Sequence, residues 1–354
     1  MEAGIMKFGV LTGIKKAEVH EGEICEVKQP DEVLVNNKSC NICTTDYQQW
    51  LGVRPQQSFP MAFGHENCGV VVDVGSEVKN VKVGDHVGFG IIGCGVCENC
   101  RKGKNVNLCK YRVSPSKIMD KYGYYGGRGA AQYKVAKSRE VFKLANDLPC
   151  EEGGFLEPLA TVLQGIEKLQ LTVGEKVLVI GAGTMGLLNA QIARLYGANV
   201  IISDIMDKKI NTARLLGFEK VLNASENDYM ENVKNISGEE KGPDAIIIAV
   251  GASRAYEQAF KLAPKGCKFL VFAAGYPSPK WDLDPNSVHY NLWDIIGTFG
   301  ARVKDFQVAS ELLSNRQINV GPLVEAKFKL EDIQEAFEKA AILGSYRASL
   351  IISE

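Results

Sequence analysis

Two hydrophobic rhythms divide this chain. Up to about residue 150, apolar residues come in short β-branched runs such as Val33-Leu34-Val35 and Val70-Val71-Val72, broken by glycine, proline and asparagine. Between Val74 and Val87, two more valine-rich stretches are joined by glycine and polar residues. Such runs predict short strands of an antiparallel, barrel-like domain, and no long helical pattern precedes Glu151. From Glu157 the period changes. Leu159, Val162, Leu163, Ile166 and Leu169 fall on one helical face. Residues 177–180 are a continuous apolar run, as in a strand covered on both faces. A helix over 184–196 stopped by Gly197, a strand over 200–203, and a helix over 207–216 stopped by Gly217 follow. Residues 245–250 and 268–273 read as two more buried strands. Strands alternating with helices predict a doubly wound α/β domain. The stretch after residue 296 loses this rhythm, with strand-like pieces at Phe299 and over 348–352 and a helix over 331–343.

Length and composition narrow the function. A chain of 354 residues exceeds one simple core and implies two domains. A formal net charge of -1 argues against a nucleic-acid or membrane surface as the main partner. No window approaches the roughly 18 uninterrupted apolar residues of a membrane span, and the N-terminus shows no secretory pattern. A chain this large needs no disulfide staples, so its ten cysteines point to a reducing, cytoplasmic setting. Cys25, Cys68, Cys150 and Cys267 are scattered and read as small buried apolar residues.

Cys94, Cys97, Cys100 and Cys109 stand apart from these. Cys-x-x-Cys spacing turns neighbouring thiolates toward one point, and four thiolates suit a closed tetrahedral zinc site. Such a site has no open coordination position and is structural. A second signal follows the run 177–180. Gly181-Ala-Gly183-Thr184-Met185-Gly186 sits between strand and helix, where Gly181 permits the turn, Gly183 lets backbone approach a pyrophosphate, and Gly186 lets helix and strand pack. The helix N-terminus at Thr184 and Met185 offers N–H groups to phosphates. Asp204 ends the next strand, where a carboxylate accepts ribose hydroxyls and repels a 2′-phosphate, predicting NAD over NADP. Lys208 and Lys209 lie near the adenosine end. A third group is Cys43, Asp46, His65, Glu66 and Glu157. Together they supply a thiolate, an imidazole and carboxylates, the donor set of an open, catalytic zinc.

With the sequences Ile-Cys-Thr-Thr-Asp at 42–46, Gly-His-Glu at 64–66, Gly-Asp-His-Val at 84–87, the four-cysteine lobe, Glu-Pro-Leu-Ala at 157–160 and the glycine loop, the chain resembles the zinc-containing medium-chain dehydrogenase/reductase family, and within it the polyol (sorbitol-type) branch. The resemblance covers nearly the whole chain. It implies a GroES-like catalytic domain over 1–155 with a zinc lobe near 90–112, a Rossmann domain over 156–295, and a return to the first domain over 296–354. It implies Cys43 and His65 as ligands of a catalytic zinc, Glu66 and Glu157 each as a ligand or as a group just behind the ligands, sometimes in exchange with each other or through water, Asp46 as partner of His65, and Thr45 as proton relay. Two zincs per chain, NAD, a small alcohol or ketone substrate and a homodimer or homotetramer follow as expectations. Arg128 and Arg302 stand where the family pattern departs, and are candidates for contact with an anionic or very polar substrate. The chemistry implied is oxidation of a secondary alcohol of a polyol, sugar alcohol or diol, with a sugar phosphate, amino-alcohol or cyclitol as alternative substrates. A zinc-ribbon module fused to a nucleotide sensor would instead require a basic surface and one metal, and a zinc-free quinone reductase would lack Cys43, His65 and the lobe.

Overall fold

The structure is a computed structural model that describes residues 4–54, 58–238 and 242–353. Its strands are β1 (Ile5–Gly13), β2 (Lys16–Glu23), β3 (Glu32–Asn41), β4 (Glu66–Val74), β5 (His86–Phe89), β6 (Tyr133–Lys137), β7 (Val141–Leu144), β8 (Lys176–Ile180), β9 (Asn199–Asp204), β10 (Val221–Asn223), β11 (Ala245–Ile248), β12 (Lys268–Val271), β13 (Asp294–Gly297), β14 (Val324–Lys329) and β15 (Arg347–Ile351). Contacts divide the chain into two units. One is Met1–Ala160 with Ala301–Glu354, and the other is Thr161–Gly300.

The first unit is the β domain, and its strands pair in the order β14-β15-β3-β4-β5-β7, with β6 on β3 and a separate β1-β2 hairpin. The pairing is antiparallel except for β14 with β15, so the late segment of the chain is built into the early sheet. Two of the apolar clusters that hold it are central. Val33, Val35, Val71, Val87 and Phe89 fill one. Leu11, Ile42, Trp50, Phe63, Phe337 and Leu350 fill the other, where Phe337 stacks on Trp50 and meets Phe63 edge-on at 4.9 Å. Such ring pairs add roughly 0.5–1.5 kcal/mol each to the area they bury. Of the two valine-rich stretches expected before Val87, only the flanks became strand. Val78–Val83 lies in the connection between β4 and β5, where its prolonged polar spacing leaves Val83 exposed.

The second unit is a six-stranded parallel sheet in the order β10-β9-β8-β11-β12-β13. The continuous apolar runs have the burial that predicted them. Val177, Leu178 and Val179 and all four residues of β11 are inaccessible, because helices cover both faces. The helix expected from Glu157 runs Leu156–Leu169 and crosses from one unit to the other. The sequence placed a strand-like piece at Phe299, but the strand is β13, and Phe299 lies just beyond it and exposed. Ile295 and Ile296 are its apolar residues, and Phe299 lies two positions past its end at Gly297. Among the described residues, no helix is long and apolar enough to cross a membrane.

Candidate active site and dinucleotide loop

Sheet register assembles the mixed metal group. Asn41, the last residue of β3, pairs with Glu66 of β4 on one side and with Ser349 of β15 on the other. Cys43 follows β3 by two residues, His65 precedes β4, and Arg347 opens β15, so all arrive at one end of three neighbouring strands. The ligand atoms of Cys43, His65 and Glu66 lie within 4.8 Å of one another. Cys43 caps the helix Thr44–Trp50, and its N–H donates to the Asp46 carboxylate at 3.0 Å. The other Asp46 oxygen is 3.6 Å from Nδ1 of His65. An imidazole held this way through Nδ1 presents Nε2 to a metal. Thr45 is the second residue of the same helix and half-buried.

Arg347 was not visible in the sequence pattern. Its guanidinium donates to both oxygens of Glu66, at 2.8 and 2.7 Å, with both side chains at most 5% exposed. It also reaches the Cys43 sulfur at 3.8 Å. Burial works against the Arg347 charge, but Glu66, Cys43 and Asp46 outweigh it and raise its pKa above the ordinary value. Burial raises the pKa of Glu157 and of Asp46. Burial also opposes the His65 imidazolium, yet Asp46, Cys43 and Glu157 together hold its pKa well above 6.5. A site this rich in negative donors therefore fits a divalent cation, which would displace that proton. Glu157 acts on His65 from outside the three-atom cluster, at the start of the helix Leu156–Leu169.

The lobe is a tighter construction. Ligand atoms of Cys94, Cys97, Cys100 and Cys109 also lie within 4.8 Å of one another, with sulfurs 3.9 Å apart for Cys94–Cys100 and 4.0 Å for Cys97–Cys109. A tetrahedron of sulfurs about 2.3 Å from zinc has edges of about 3.8 Å, so the spacing fits the ion. The turn Val106–Leu108 delivers Cys109 to the group. Backbone N–H groups donate to Cys94 and Cys109 at 3.3 Å. Backbone N–H donors pull Cys97 down to about 6, while burial pushes Cys100 up to about 12.

In the second unit, Gly181 has φ +99°, a left-handed conformation that glycine adopts without strain. A Cβ on Gly186 would collide with the Gly181 carbonyl oxygen, whereas Gly183 faces open space. Gly183 caps the helix Thr184–Leu195. Asp204 closes the loop: one oxygen accepts from Ala182 N–H at 2.7 Å and the other from Met206 N–H at 3.0 Å. Each carboxylate oxygen keeps a further lone pair for a ligand. Lys208 is exposed, while Lys209 is buried within the helix Asp207–Leu215.

The two candidate arginines are committed elsewhere. Arg128 donates to Asp120 through Nε and one terminal nitrogen, at 2.9 and 2.6 Å, and lies over the rings of Phe8, Tyr122 and Tyr124. Arg302 grips Asp305 in the first turn of the helix Val303–Ser314.

A β domain carrying two cysteine-based metal groups, joined in sequence to a six-stranded dinucleotide fold, defines an alcohol-type dehydrogenase that acts on CH–OH donors. The profile of the alcohol dehydrogenase GroES-like domain matches residues 29–146, and that of the zinc-binding dehydrogenase matches 184–315. L-threonine 3-dehydrogenase of Deinococcus deserti is 30% identical over 330 residues, 91% of this chain and 92% of that one. D-xylulose reductase A of Aspergillus niger is 29% identical, covering 93% and 92%. Among solved structures, galactitol-1-phosphate dehydrogenase from Escherichia coli superposes with a TM-score of 0.81 at 26% identity, covering 98% of this chain and 100% of that one. A zinc-binding dehydrogenase structure from Sinorhizobium meliloti 1021, bound to NADP, gives 0.85 at 27%, covering 98% and 99%. The chain belongs to the zinc-containing medium-chain dehydrogenases, and its cofactor is a nicotinamide dinucleotide.

Proposed function

We propose that this dehydrogenase oxidises a secondary alcohol of an uncharged polyol, sugar alcohol or diol to the ketone, with NAD as acceptor. The observation that carries the reading is the pairing of Arg128 with Asp120 and of Arg302 with Asp305. Both arginines that the sequence nominates for an anionic substrate already have carboxylate partners. The relative that reduces D-xylulose supports the polyol class. The L-threonine relatives favour a second reading, an amino-alcohol substrate, on their identity of 30–31%.

Cys43, His65 and Glu66 would hold the catalytic zinc, with Glu157, which feels the charges of His65 and Glu66, exchanging with Glu66, and the four lobe cysteines would hold a structural one. When bound, zinc polarises the substrate oxygen and the nicotinamide accepts hydride. The chain's own work is positional. Asp46 orients His65, and Arg347 neutralises Glu66 so that two negative donors can share the buried site with Cys43. Thr45 passes the substrate proton outward. Asp204 takes the ribose hydroxyls and repels a 2′-phosphate, and Gly183 admits the pyrophosphate to the helix N-terminus, with Thr184 and Met185 behind it.

The experiment is a panel of polyols, diols, sugar phosphates and threonine offered with NAD and with NADP, followed by absorbance of the reduced cofactor. The reading expects the highest kcat/KM with a neutral polyol and NAD. A best substrate carrying phosphate or an ammonium group overturns it, as does a preference for NADP.

A further inference from the structure

Cys68 and Cys150 resemble unrelated apolar fillers in the sequence, but the fold brings them together. Cys68 lies on β4, two positions beyond Glu66, and is 1% exposed. Cys150 opens the short helix Cys150–Gly153 and is only partly buried, so solvent reaches it. The two thiols are neighbours. Helix and strand are closely packed: a Cβ built on Gly153 would stand 2.6 Å from the Cys68 sulfur and 3.1 Å from its Cβ. Cys150 is one helical turn before Gly153, on the same face, which places its sulfur beside that of Cys68. Cys150 is the more exposed of the two and meets a dissolved oxidant first, and the buried Cys68 sits where it can resolve a product formed there.

We propose that Cys68 and Cys150 are a reversible oxidation site for peroxides, closing to an intrachain disulfide. The Cys150 thiolate attacks one peroxide oxygen, the O–O bond breaks, and the departing hydroxide is protonated to water. Cys150 is then a sulfenic acid. The Cys68 sulfur attacks the Cys150 sulfur, the S–S bond forms, the S–O bond breaks, and hydroxide leaves with the Cys68 proton as a second water. Two thiols lose two electrons and the peroxide gains them. A small dithiol reverses the reaction by exchange. The bond links the strand that begins at Glu66 to the segment that leads into Glu157, so the oxidation state of the pair bears on both carboxylates of the metal site.

The test uses the zinc-loaded full chain treated with a small excess of hydrogen peroxide, blocked with N-ethylmaleimide under denaturing conditions and digested without reductant. Mass spectrometry is expected to find the peptides of Cys68 and Cys150 joined, and separated again by dithiothreitol. Cys150→Ser should abolish the joined peptide with zinc content unchanged. Cys68→Ala should leave Cys150 oxidised to sulfinic acid, since no resolving thiol remains. In the wild-type protein, recovery of both cysteines as maleimide adducts overturns the proposal. So does Cys150 as sulfinic or sulfonic acid beside a free Cys68, or either cysteine joined to one of the lobe.

Discussion

In the lobe, four sulfurs separated by at most 15 positions meet within one loop, whereas the Cys43 group draws Glu66 and Arg347 together across 281 positions. The lobe donors are alike, supported by backbone N–H groups, and leave no room for a substrate. The other group mixes sulfur, nitrogen and carboxylate, and needs a buried arginine to be electrically tolerable. A local, uniform site is suited to holding a loop in shape. A site assembled from strand ends is suited to chemistry, because each donor can be positioned by a different element. The difference also separates what each metal does: one should carry stability and the other turnover.

That division can be broken directly. Cys43→Ala or His65→Ala should lower kcat/KM by on the order of 10³-fold or more, about 4 kcal/mol in the barrier, while dinucleotide binding and the melting temperature change little. Cys97→Ala should instead remove half of the zinc and unfold the lobe. Metal analysis beside steady-state rates checks both, and a Cys97→Ala protein with full zinc and an unchanged melting temperature would dissolve the comparison. Next, Arg347→Met leaves Glu66 buried without its counter-charge. It should cost about 3–5 kcal/mol in urea unfolding, and Glu66→Gln combined with it should recover part of that loss. Gly186→Ala sets a methyl group against the Gly181 carbonyl. It should destabilise the second unit by about 1–3 kcal/mol and weaken dinucleotide binding, read by calorimetric titration, with the zinc content untouched. The smallest effect concerns Asp85, whose carboxylate accepts from Lys143 and from the Lys82 N–H. Burial raises its pKa, but these partners outweigh burial and hold it below 3.8. Its stabilisation is therefore present above that value and lost as pH falls through the lower folded pKa. Asp85→Asn should flatten this acid limb by less than about 1 kcal/mol, visible in melting temperatures across pH.

The parallel sheet was legible in the sequence because its strands are covered on both faces and so cannot alternate. β11 is four consecutive inaccessible residues, and its β-branched isoleucines and short length favour a strand over a buried helix segment. The lobe and the glycine loop were legible because their chemistry is carried by spacing along the chain. Arg347 was not, since nothing beside it marks it out: its meaning lies in β15 pairing with β3, which only the assembled sheet supplies. The same holds for Cys68 and Cys150, whose relation depends on one helix lying flat against one strand. Phe299 misled because a β-branched and aromatic run continues past Gly297, where the hydrogen-bonded ladder has already ended.

The pairing of Glu66 with Arg347 also sets an order of events during synthesis. A ribosome makes Cys43, His65 and Glu66 early, then the entire dinucleotide unit, and only afterwards β14 and β15. Until Arg347 leaves the ribosome, the early strands have no counter-charge for Glu66 and no third neighbour for β3. The second unit is made whole before that sheet has all its strands, and the metal centre lacks its counter-charge until β15 is in place.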